Sequence, residues 1–393
     1  MPAGHHPTAA TTPVPRHRLP ALLRGIGAGL LVLAGLLATA WGALALWYQA
    51  PGAKGIVIGL VAAWSLLGLA ACAAIALRTT RAWRHRSGKW QLRWTLPACG
   101  LAWLVLLVWW QTLQPSHQRD WADDVARLLA PEVVGNRVTL HNVRNFDWRS
   151  ETDYGARWET REYDLDRLVS ADLVLSYWMG PAIAHTLVSF GFDDGRQLVF
   201  SLEIRKERQE SFSAIAGFFK QYETVLVAAD ERDIVRVRSN VRGEDVYLYR
   251  LTATPAQLRA MLLGYLERAD ALRRTPRFYN TLTSNCTTIV FELARRISPG
   301  LPLDYRLLLS GYLGEYVHDF GALAPGYDFP ALQAAGRITD RAKAADASGE
   351  DFTQAIRRGV PGMAGAPSGS PAGGASSRHA PSARAPSDLR TSP

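Results

Sequence analysis

The chain has 393 residues, of which 48% are hydrophobic and 10% aromatic, and it contains three cysteines. This composition excludes an intrinsically disordered protein, because it supplies enough apolar side chains for a sizeable core. The net charge of +9 comes from the N-terminal third: residues 1–112 hold 10 Lys and Arg and no acid, whereas residues 113–345 hold 29 basic and 31 acidic side chains. The part of the chain that can fold in water is thus slightly acidic, which argues against a nucleic-acid partner.

Three apolar segments, 25–47, 55–77 and about 94–113, each approach the ~20 residues that a helix needs to cross a membrane. The segment 78–93, between the second and the third, carries six Lys and Arg and no acid, whereas the link between the first two contains only Lys54. Because basic loops stay in the cytoplasm, the pattern predicts a multi-pass protein of the bacterial inner membrane. Its chain beyond about residue 114 is then periplasmic.

A cleaved signal peptide is the alternative interpretation of the first segment. Arg16, Arg18 and Arg24 precede the apolar run, and the A-T-A sequence at 38–40 resembles a small-residue cleavage site. The apolar run continues past residue 40, which favours a retained span. The C-terminal part faces the periplasm in either case, because the basic segment 78–93 orients the last two spans.

The composition divides the chain into four parts. These are a cytoplasmic tail (1–24), three transmembrane helices with the basic loop (25–113), a periplasmic domain (114–345) and a disordered tail rich in Gly, Pro, Ala and Ser (346–393). In the domain, the patterns predict helices at 122–130 and 256–274, and strands at 136–144, 184–192, 197–205, 223–228, 234–238 and 246–251. Hairpins of short strands without β-α-β alternation indicate an α+β fold.

Cys286 is the one cysteine of the predicted periplasmic part, since Cys72 and Cys99 lie in the spans. It precedes an amphipathic helical pattern whose N-cap is predicted to be Ser284 or Asn285. A thiol in the first helical turn lies where the helix dipole and free backbone N–H groups stabilise a thiolate and an oxyanion. We therefore predict that Cys286 is a nucleophile, and the alternative is an inert buried cysteine.

A thiol nucleophile needs an imidazole within hydrogen-bond reach, and the domain offers His117, His141, His185 and His318. We favour His185, which lies on a strand joined to the next by Asp193-Asp194-Gly195, a sequence typical of a three-residue hairpin loop. In the resulting register the numbers of opposed residues sum to 388, so His185 faces Glu203. We predict His185 as base and Glu203 as the group that orients it, and the alternative is a solvated cross-strand pair.

Three further residues are candidates for substrate binding: Tyr279, Asn280 and Asn285. The first two could equally hold the loop that precedes the cysteine. The sequence contains no H-E-x-x-H, C-x-x-C, G-x-S-x-G or P-loop motif. We therefore expect no metal site and no cofactor.

Four stretches resemble the Lnb N-terminal periplasmic domain family, named after a bacterial lipoprotein N-acyltransferase. They are N-F-D-W-R-S-E-T-D-Y at 145–154, S-Y-W-M-G-P-A-I-A-H-T-L-V-S-F-G-F at 176–192, S-L-E-I-R-K-E at 201–207 and Y-N-T-L-T-S-N-C-T-T at 279–288. The resemblance implies a circularly permuted papain or NlpC-like thiol fold, with the histidine strand ahead of the cysteine helix. It also implies that Cys286 and His185 are catalytic, and it extends less directly to Glu203.

These observations predict a membrane-anchored periplasmic enzyme that transfers an acyl group through a thioester at Cys286, as an acyltransferase or as an amidase or hydrolase. Anchoring beside the bilayer favours membrane lipid, a lipoprotein or peptidoglycan as substrate. Two alternatives stay open. One is a cell-wall endopeptidase of the NlpC type that uses the same pair, and the other is a non-catalytic, membrane-tethered binding module.

Overall fold

The computed structural model describes residues 19–78 and 89–363. The predicted cytoplasmic tail up to residue 18, residues 79–88 of the predicted basic loop and the predicted disordered tail from residue 364 lie outside the described residues. The chain forms two compact units. The membrane unit comprises the described residues up to Ala122, Ile204–Thr224 and Pro276–Thr283. The sheet unit comprises Asp123–Glu203, Val225–Thr275 and the described residues from Ser284 onward.

Long apolar helices make up most of the membrane unit: α1 (Leu19–Gln49), α2 (Lys54–Arg78) and α3 (Lys89–Thr112). Their stretches Gly25–Gln49, Lys54–Leu77 and Trp94–Thr112 are long and apolar enough to cross a membrane. Many of their large apolar side chains are exposed, as expected for surfaces that face lipid. The three predicted apolar segments are therefore helices with nearly the predicted bounds.

Helices α1 and α2 pack closely where one of them lacks a side chain. A Cβ atom added at Gly42 would lie 2.3 Å from the Trp64 ring, and one added at Gly68 would lie 2.2 Å from the Thr39 hydroxyl. The indole N–H of Trp64 donates a hydrogen bond to the Thr39 carbonyl at 2.9 Å. Small residues that let two backbones approach are a common basis of helix association in lipid.

The sheet unit is built on strands that form one large and one small sheet. The strands are β1 (Ala130–Val134), β2 (Arg137–Arg144), β3 (Asp147–Trp148), β4 (Tyr154–Gly155), β5 (Trp158–Asp164), β6 (Leu168–Tyr177), β7 (Ala184–Phe192), β8 (Gln197–Arg205), β9 (Glu223–Ala229) and β10 (Asp245–Arg250). Among the described residues, the large sheet has the order β1-β2-β9-β8-β7-β6-β10, with β5 also paired to β2, and β3 pairs β4 separately. Strand β7 thus lies inside the sheet, between β8 and β6.

Helices complete the sheet unit and confirm a mixed α+β fold. They are α4 (Glu231–Ile234), α5 (Pro255–Arg274), α6 (Cys286–Ile297), α7 (Leu313–Asp319), α8 (Phe329–Gly336), α9 (Thr339–Ser348) and α10 (Phe352–Arg357). Helices α5 and α6 cover one face of the sheet. The rings of Phe200 on β8 and Tyr265 on α5 stack there with centroids 4.9 Å apart, and Phe190 on β7 meets Phe200 edge-on at 5.7 Å. Burial of these rings is a large part of what holds helix to sheet.

The hairpin of β7 and β8 has the predicted register. Val188 pairs with Phe200 and Phe190 with Leu198, so the opposed numbers sum to 388. Gly195 adopts a φ of 84°, the left-handed conformation that the last residue of this loop requires. Ladder pairing stops at Leu187 and Ser201, however, two residues before the predicted pair of His185 and Glu203. That pair is joined by side chains, as described below.

Two predicted elements were wrong. Residues 234–238 were expected to form a strand because of their β-branched residues, but α4 is followed by a π-helical turn at Val237–Val241. The Asp230 side chain caps α4 by accepting from the Arg232 N–H, and this starts a helix. Residues 122–130 were expected to be helical, but they contain only a short 3-10 turn at Asp123–Val125 before β1 begins.

Strands β1, β3, β4, β5 and β6 were missed by the sequence analysis. In β6 the polar residues Ser170, Asp172 and Ser176 interrupt the apolar pattern, yet all three are buried. The Asp172 carboxylate is paired with the guanidinium groups of Arg250 and Arg357. Partners distant in sequence therefore compensate for the cost of burying these groups, and local pattern analysis cannot detect such partners.

The predicted disorder from residue 346 was also wrong for residues 346–363. Helix α10 follows α9 after a short link, and Phe352, Ile356 and Val360 are buried. Arg357 contacts the fully buried Glu231 at 2.5 Å and Asp172 at 2.9 Å. This part of the chain is fixed by an ion-pair network on the sheet, although its composition resembles that of a linker.

Candidate active site

Cys286 is the first residue of α6, and Asn285 is its N-cap. The Asn285 side-chain oxygen accepts hydrogen bonds from the backbone N–H groups of Thr287 and Thr288, both at 3.0 Å, and Thr288 Oγ1 accepts from the Asn285 N–H at 2.8 Å. This reciprocal arrangement is a capping box, and it selects Asn285 over Ser284 as the cap. Within the described part of the chain, the Cys286 N–H has no hydrogen-bond acceptor. It is the first-turn amide left to donate to a ligand.

The Cys286 thiol contacts the imidazole of His185, at the start of β7. The sulfur lies within hydrogen-bonding reach of the His185 ring and of the backbone N–H of Thr186. Next to this contact, the hydroxyl oxygens of Thr186 on β7 and Thr287 on α6 lie 3.5 Å apart, so helix and strand meet side by side. Both Cys286 and Thr186 are buried. The structure thus brings together the predicted nucleophile and the predicted base within one unit.

The other ring nitrogen of His185 contacts the β8 strand. Its Nε2 lies 2.7 Å from Ser201 Oγ and 3.1 Å from Glu203 Oε1, and Ser201 Oγ donates to the same carboxylate oxygen at 2.7 Å. Because the Ser201 hydroxyl donates its hydrogen to Glu203, its oxygen can accept a hydrogen bond from the Nε2–H of His185. Nδ1 is then the nitrogen left to interact with the thiol. The His185 and Glu203 side chains are 14% and 18% exposed, which does not favour the solvated cross-strand pair considered above.

Arg238 contacts the same oxygen of Glu203 as the histidine. Its guanidinium donates to Glu203 Oε1 at 2.8 Å and to Glu244 Oε2 at 3.4 Å, and Ser176 also donates to Glu244. Burial would raise the pKa of Glu203, but the charges of His185 and Arg238 outweigh it and hold this pKa well below its usual range. Glu203 therefore remains an anion that can orient the imidazole.

The same balance of burial and charge acts on the thiol and the imidazole. Burial raises the pKa of Cys286, but the charge and hydrogen bond of His185 and the Thr186 N–H outweigh it and lower the pKa to about 7. Burial and the charge of Arg238 lower the pKa of His185, but Glu203 and Cys286 raise it to about 9. Between these values the thiolate and the imidazolium coexist. An ion pair of this kind combines an activated nucleophile with a proton donor.

The other predicted site residues have structural contacts. Tyr279 and Asn280 lie in the membrane unit, where the Tyr279 N–H donates to the Tyr222 carbonyl at 2.9 Å. The Asn280 side-chain oxygen accepts from the N–H groups of Leu282 and Thr283, each at 3.0 Å, so Asn280 holds its loop. Asn285 acts as the helix cap. A role of Tyr279, Asn280 or Asn285 in substrate binding stays a prediction.

Sequence reasoning missed Ser201 and Arg238. Ser201 could have been found, because strand alternation places it on the same face as Glu203 and within reach of His185. Arg238 gives no comparable signal, since it is 35 residues from Glu203 in sequence and was assigned to a strand. Its approach to the carboxylate depends on the helical turns after β9.

A comparison with known protein families finds a match to this part of the chain. Residues 154–311 match the model of the Lnb N-terminal periplasmic domain, a range that contains His185, Glu203 and Cys286. This confirms the resemblance predicted from the sequence motifs. No curated protein and no solved structure matches the chain. Three apolar helices precede the residues that match this periplasmic family. This arrangement fits a membrane protein with a periplasmic domain.

Proposed function

We propose that the chain is a cysteine-dependent acyl-transfer enzyme of the bacterial inner membrane, with its thiol domain in the periplasm. The observation that carries the proposal is the hydrogen-bonded series of Cys286, His185 and Glu203. A thiol pKa lowered to about 7 provides a nucleophile at neutral pH. An inert structural cysteine has no need of a buried imidazole and carboxylate, and burying these groups is costly.

In the proposed reaction the Cys286 thiolate attacks the carbonyl carbon of an ester or amide, and an electron pair moves onto the carbonyl oxygen. The Cys286 N–H donates to this oxyanion. The His185 imidazolium gives its Nδ1 proton to the departing alcohol or amine, which leaves a thioester on the sulfur. An amine or water then attacks the thioester and loses its proton to His185, and the thiolate departs.

The order of elements supports a permuted papain-like or NlpC-like arrangement. The histidine lies on β7 and the carboxylate on β8, whereas the cysteine begins α6 later in the chain. Papain-like chemistry needs a thiol at the start of a helix that faces an imidazole on a strand. It does not depend on which of the two comes first along the chain. We propose that this chain uses the permuted order.

Membrane attachment supports a lipid, a lipoprotein or another envelope component as substrate. Three apolar helices in the same chain keep the thiol domain beside a bilayer. Tethering raises the effective concentration of substrates that are confined to the same membrane. A fatty acyl group moved to an amine gives an acyltransferase, and one moved to water gives a hydrolase.

The direct test is to trap the acyl-enzyme. The full-length chain is reconstituted in phospholipid nanodiscs and its intact mass is measured, together with the variants Cys286→Ala and Cys99→Ala. We expect wild type and Cys99→Ala to gain the mass of an acyl chain that neutral hydroxylamine removes, because hydroxylamine cleaves thioesters. Cys286→Ala should gain none. Cys99 is a matched control because it is a thiol of the membrane helices.

The same preparations separate the alternatives. Cleavage of muropeptides by wild type but not by Cys286→Ala, with no acyl adduct, would identify an endopeptidase that uses the same pair. Neither adduct nor cleavage, together with slow alkylation of Cys286 by iodoacetamide at pH 6 in the folded protein, would identify a binding module instead of an enzyme.

A further inference from the structure

One segment of the membrane unit, Ile204–Thr224, lies far from the apolar helices in sequence but is attached to them in space. The Gln49 side chain, at the last residue of α1, donates to the Phe219 carbonyl at 2.9 Å. The Lys220 ammonium donates to the Trp110 carbonyl, near the end of α3, at 2.8 Å. Both contacts are at the C-terminal ends of the helices. The segment is therefore fastened to the same end of two predicted spans.

The ring of Phe219 packs among aromatic side chains near that end of the helices. It stacks on Tyr48 with centroids 5.7 Å apart, and its centroid lies 6.2 Å from that of Trp41 and 6.5 Å from that of Trp110. Trp41 precedes Gln49 by eight residues, which corresponds to about 12 Å along a helix with a rise of ~1.5 Å per residue. Because the ring contacts both Tyr48 and Trp41, Phe219 packs against the last two to three turns of α1.

Around this anchor the segment exposes further large apolar side chains. Phe212, Ile215 and Phe218 are 51%, 54% and 38% exposed. Leu282, on the neighbouring segment Pro276–Thr283, is 50% exposed, and Thr281 beside it donates to the Ala214 carbonyl at 3.0 Å. Exposed apolar groups clustered next to transmembrane helices indicate contact with lipid.

The charged neighbours of the cluster fit a membrane boundary. The Lys220 ammonium lies 4.9 Å from the centre of the Trp110 ring and 5.5 Å from that of Phe278. Lysine and tryptophan commonly meet in this way at the level of the lipid headgroups. Arg208, four residues before Phe212, is half exposed and pairs with the exposed Asp120 at 3.0 Å. The segment thus changes from charged to apolar along a few residues.

We propose that residues 212–219, together with Leu282, form an interfacial segment that inserts into the bilayer, where Phe212, Ile215, Phe218 and Leu282 contact phospholipid acyl chains. This is a membrane attachment in addition to the three spans. It goes beyond the proposed function and does not depend on the thiol chemistry. Continuity with the lipid-facing surfaces of α1 and α3 favours lipid as the occupant over a second copy of the chain.

The first experiment uses the unmodified full-length chain. It is placed as single copies in nanodiscs that contain a phospholipid with a photoreactive diazirine in its acyl chain, and the adducts are mapped by peptide mass spectrometry. We expect adducts on the peptide carrying residues 212–219, as on the apolar helices, and none on residues 118–120. Adducts on the helices without any on 212–219 would overturn the proposal. Loss of the adducts on 212–219 at higher copy number per disc, with those on the helices retained, would assign this surface to a second copy and would also overturn the proposal.

A labelled variant gives an independent readout. Phe218→Cys and the control Arg208→Cys are made in a chain with Cys72→Ala, Cys99→Ala and Cys286→Ser, and each is labelled with an environment-sensitive fluorophore. We expect blue-shifted emission at 218 that loses most of its intensity in phospholipids brominated on the acyl chain, and little change at 208. Equal quenching at both positions, or none at 218 in monodisperse protein, would overturn the proposal.

Discussion

Replacing His185 with alanine tests the link between the imidazole and the thiol. Without its hydrogen bond and positive charge, the pKa of Cys286 should rise from about 7 to at least the ordinary ~8.5. At pH 6 the thiolate fraction then falls from about 9% to about 0.3%, roughly 30-fold. A thiolate of higher pKa is intrinsically more nucleophilic, by roughly fivefold for a Brønsted coefficient of ~0.45. The expected net slowing of alkylation is therefore about sixfold, and more if burial raises the pKa further.

The assay is iodoacetamide labelling at pH 6, with modification of the Cys286 peptide followed by mass spectrometry so that Cys72 and Cys99 do not contribute. His141→Ala is the matched control, because His141 is a half-exposed histidine on β2 that contacts Glu132. It should label at the wild-type rate. If His185→Ala also labels at the wild-type rate while remaining folded, the imidazole does not control the thiol pKa and the reasoning fails.

Three further results are expected. The rate of acyl-enzyme formation should rise as the pH passes about 7, where the thiol ionises, and fall above about 9, where the imidazolium loses its proton; a flat profile would contradict the ion pair. Ser201→Ala removes a partner of the imidazole and should slow alkylation at pH 6 about 2- to 10-fold, whereas no change would assign Ser201 to packing. Arg357→Met leaves Asp172 and Glu231 buried without this cation and should cost about 3–5 kcal/mol of stability; the thermal midpoint should fall well below that of the control Arg358→Met.

Much of the candidate site could be predicted because it depends on local geometry. Strand alternation and one glycine-containing loop set the register of β7 and β8, and the register places His185 and Glu203 on one face. A polar residue before an amphipathic run placed Cys286 in a first helical turn. Both inferences use contacts between residues at most about 20 positions apart in sequence. The meeting of thiol and imidazole was suggested by chemistry, since nothing local places residues 185 and 286 together.

The features that could not be predicted depend on contacts distant in sequence. Strand β6 contains Asp172, a residue type that is unfavourable in a buried strand. Its carboxylate is paired with Arg250 and Arg357, which the local sequence does not show. Residues 352–357 form a helix because Phe352 and Ile356 find a buried surface on the rest of the unit, and because Arg357 finds its two carboxylates. The composition of a segment indicates how much apolar surface it can bury by itself. It does not show the apolar surface or the charged partners that the rest of the fold provides.

Arg238 influences the pKa of His185, so its removal should shift the pH above which the rate of the reaction falls. Its positive charge lowers the pKa of His185, whereas Glu203 raises it. In Arg238→Gln the repulsion between the two cations is lost while Glu203 stays close, so the pKa of His185 should rise above about 9 and the fall in rate should move to higher pH. Arg238→Lys keeps the charge and should keep the limit near its original place. A structural role alone would lower the amount of folded enzyme in both variants without moving the pH limit, and an unchanged limit in folded Arg238→Gln would rule out electrostatic control by Arg238.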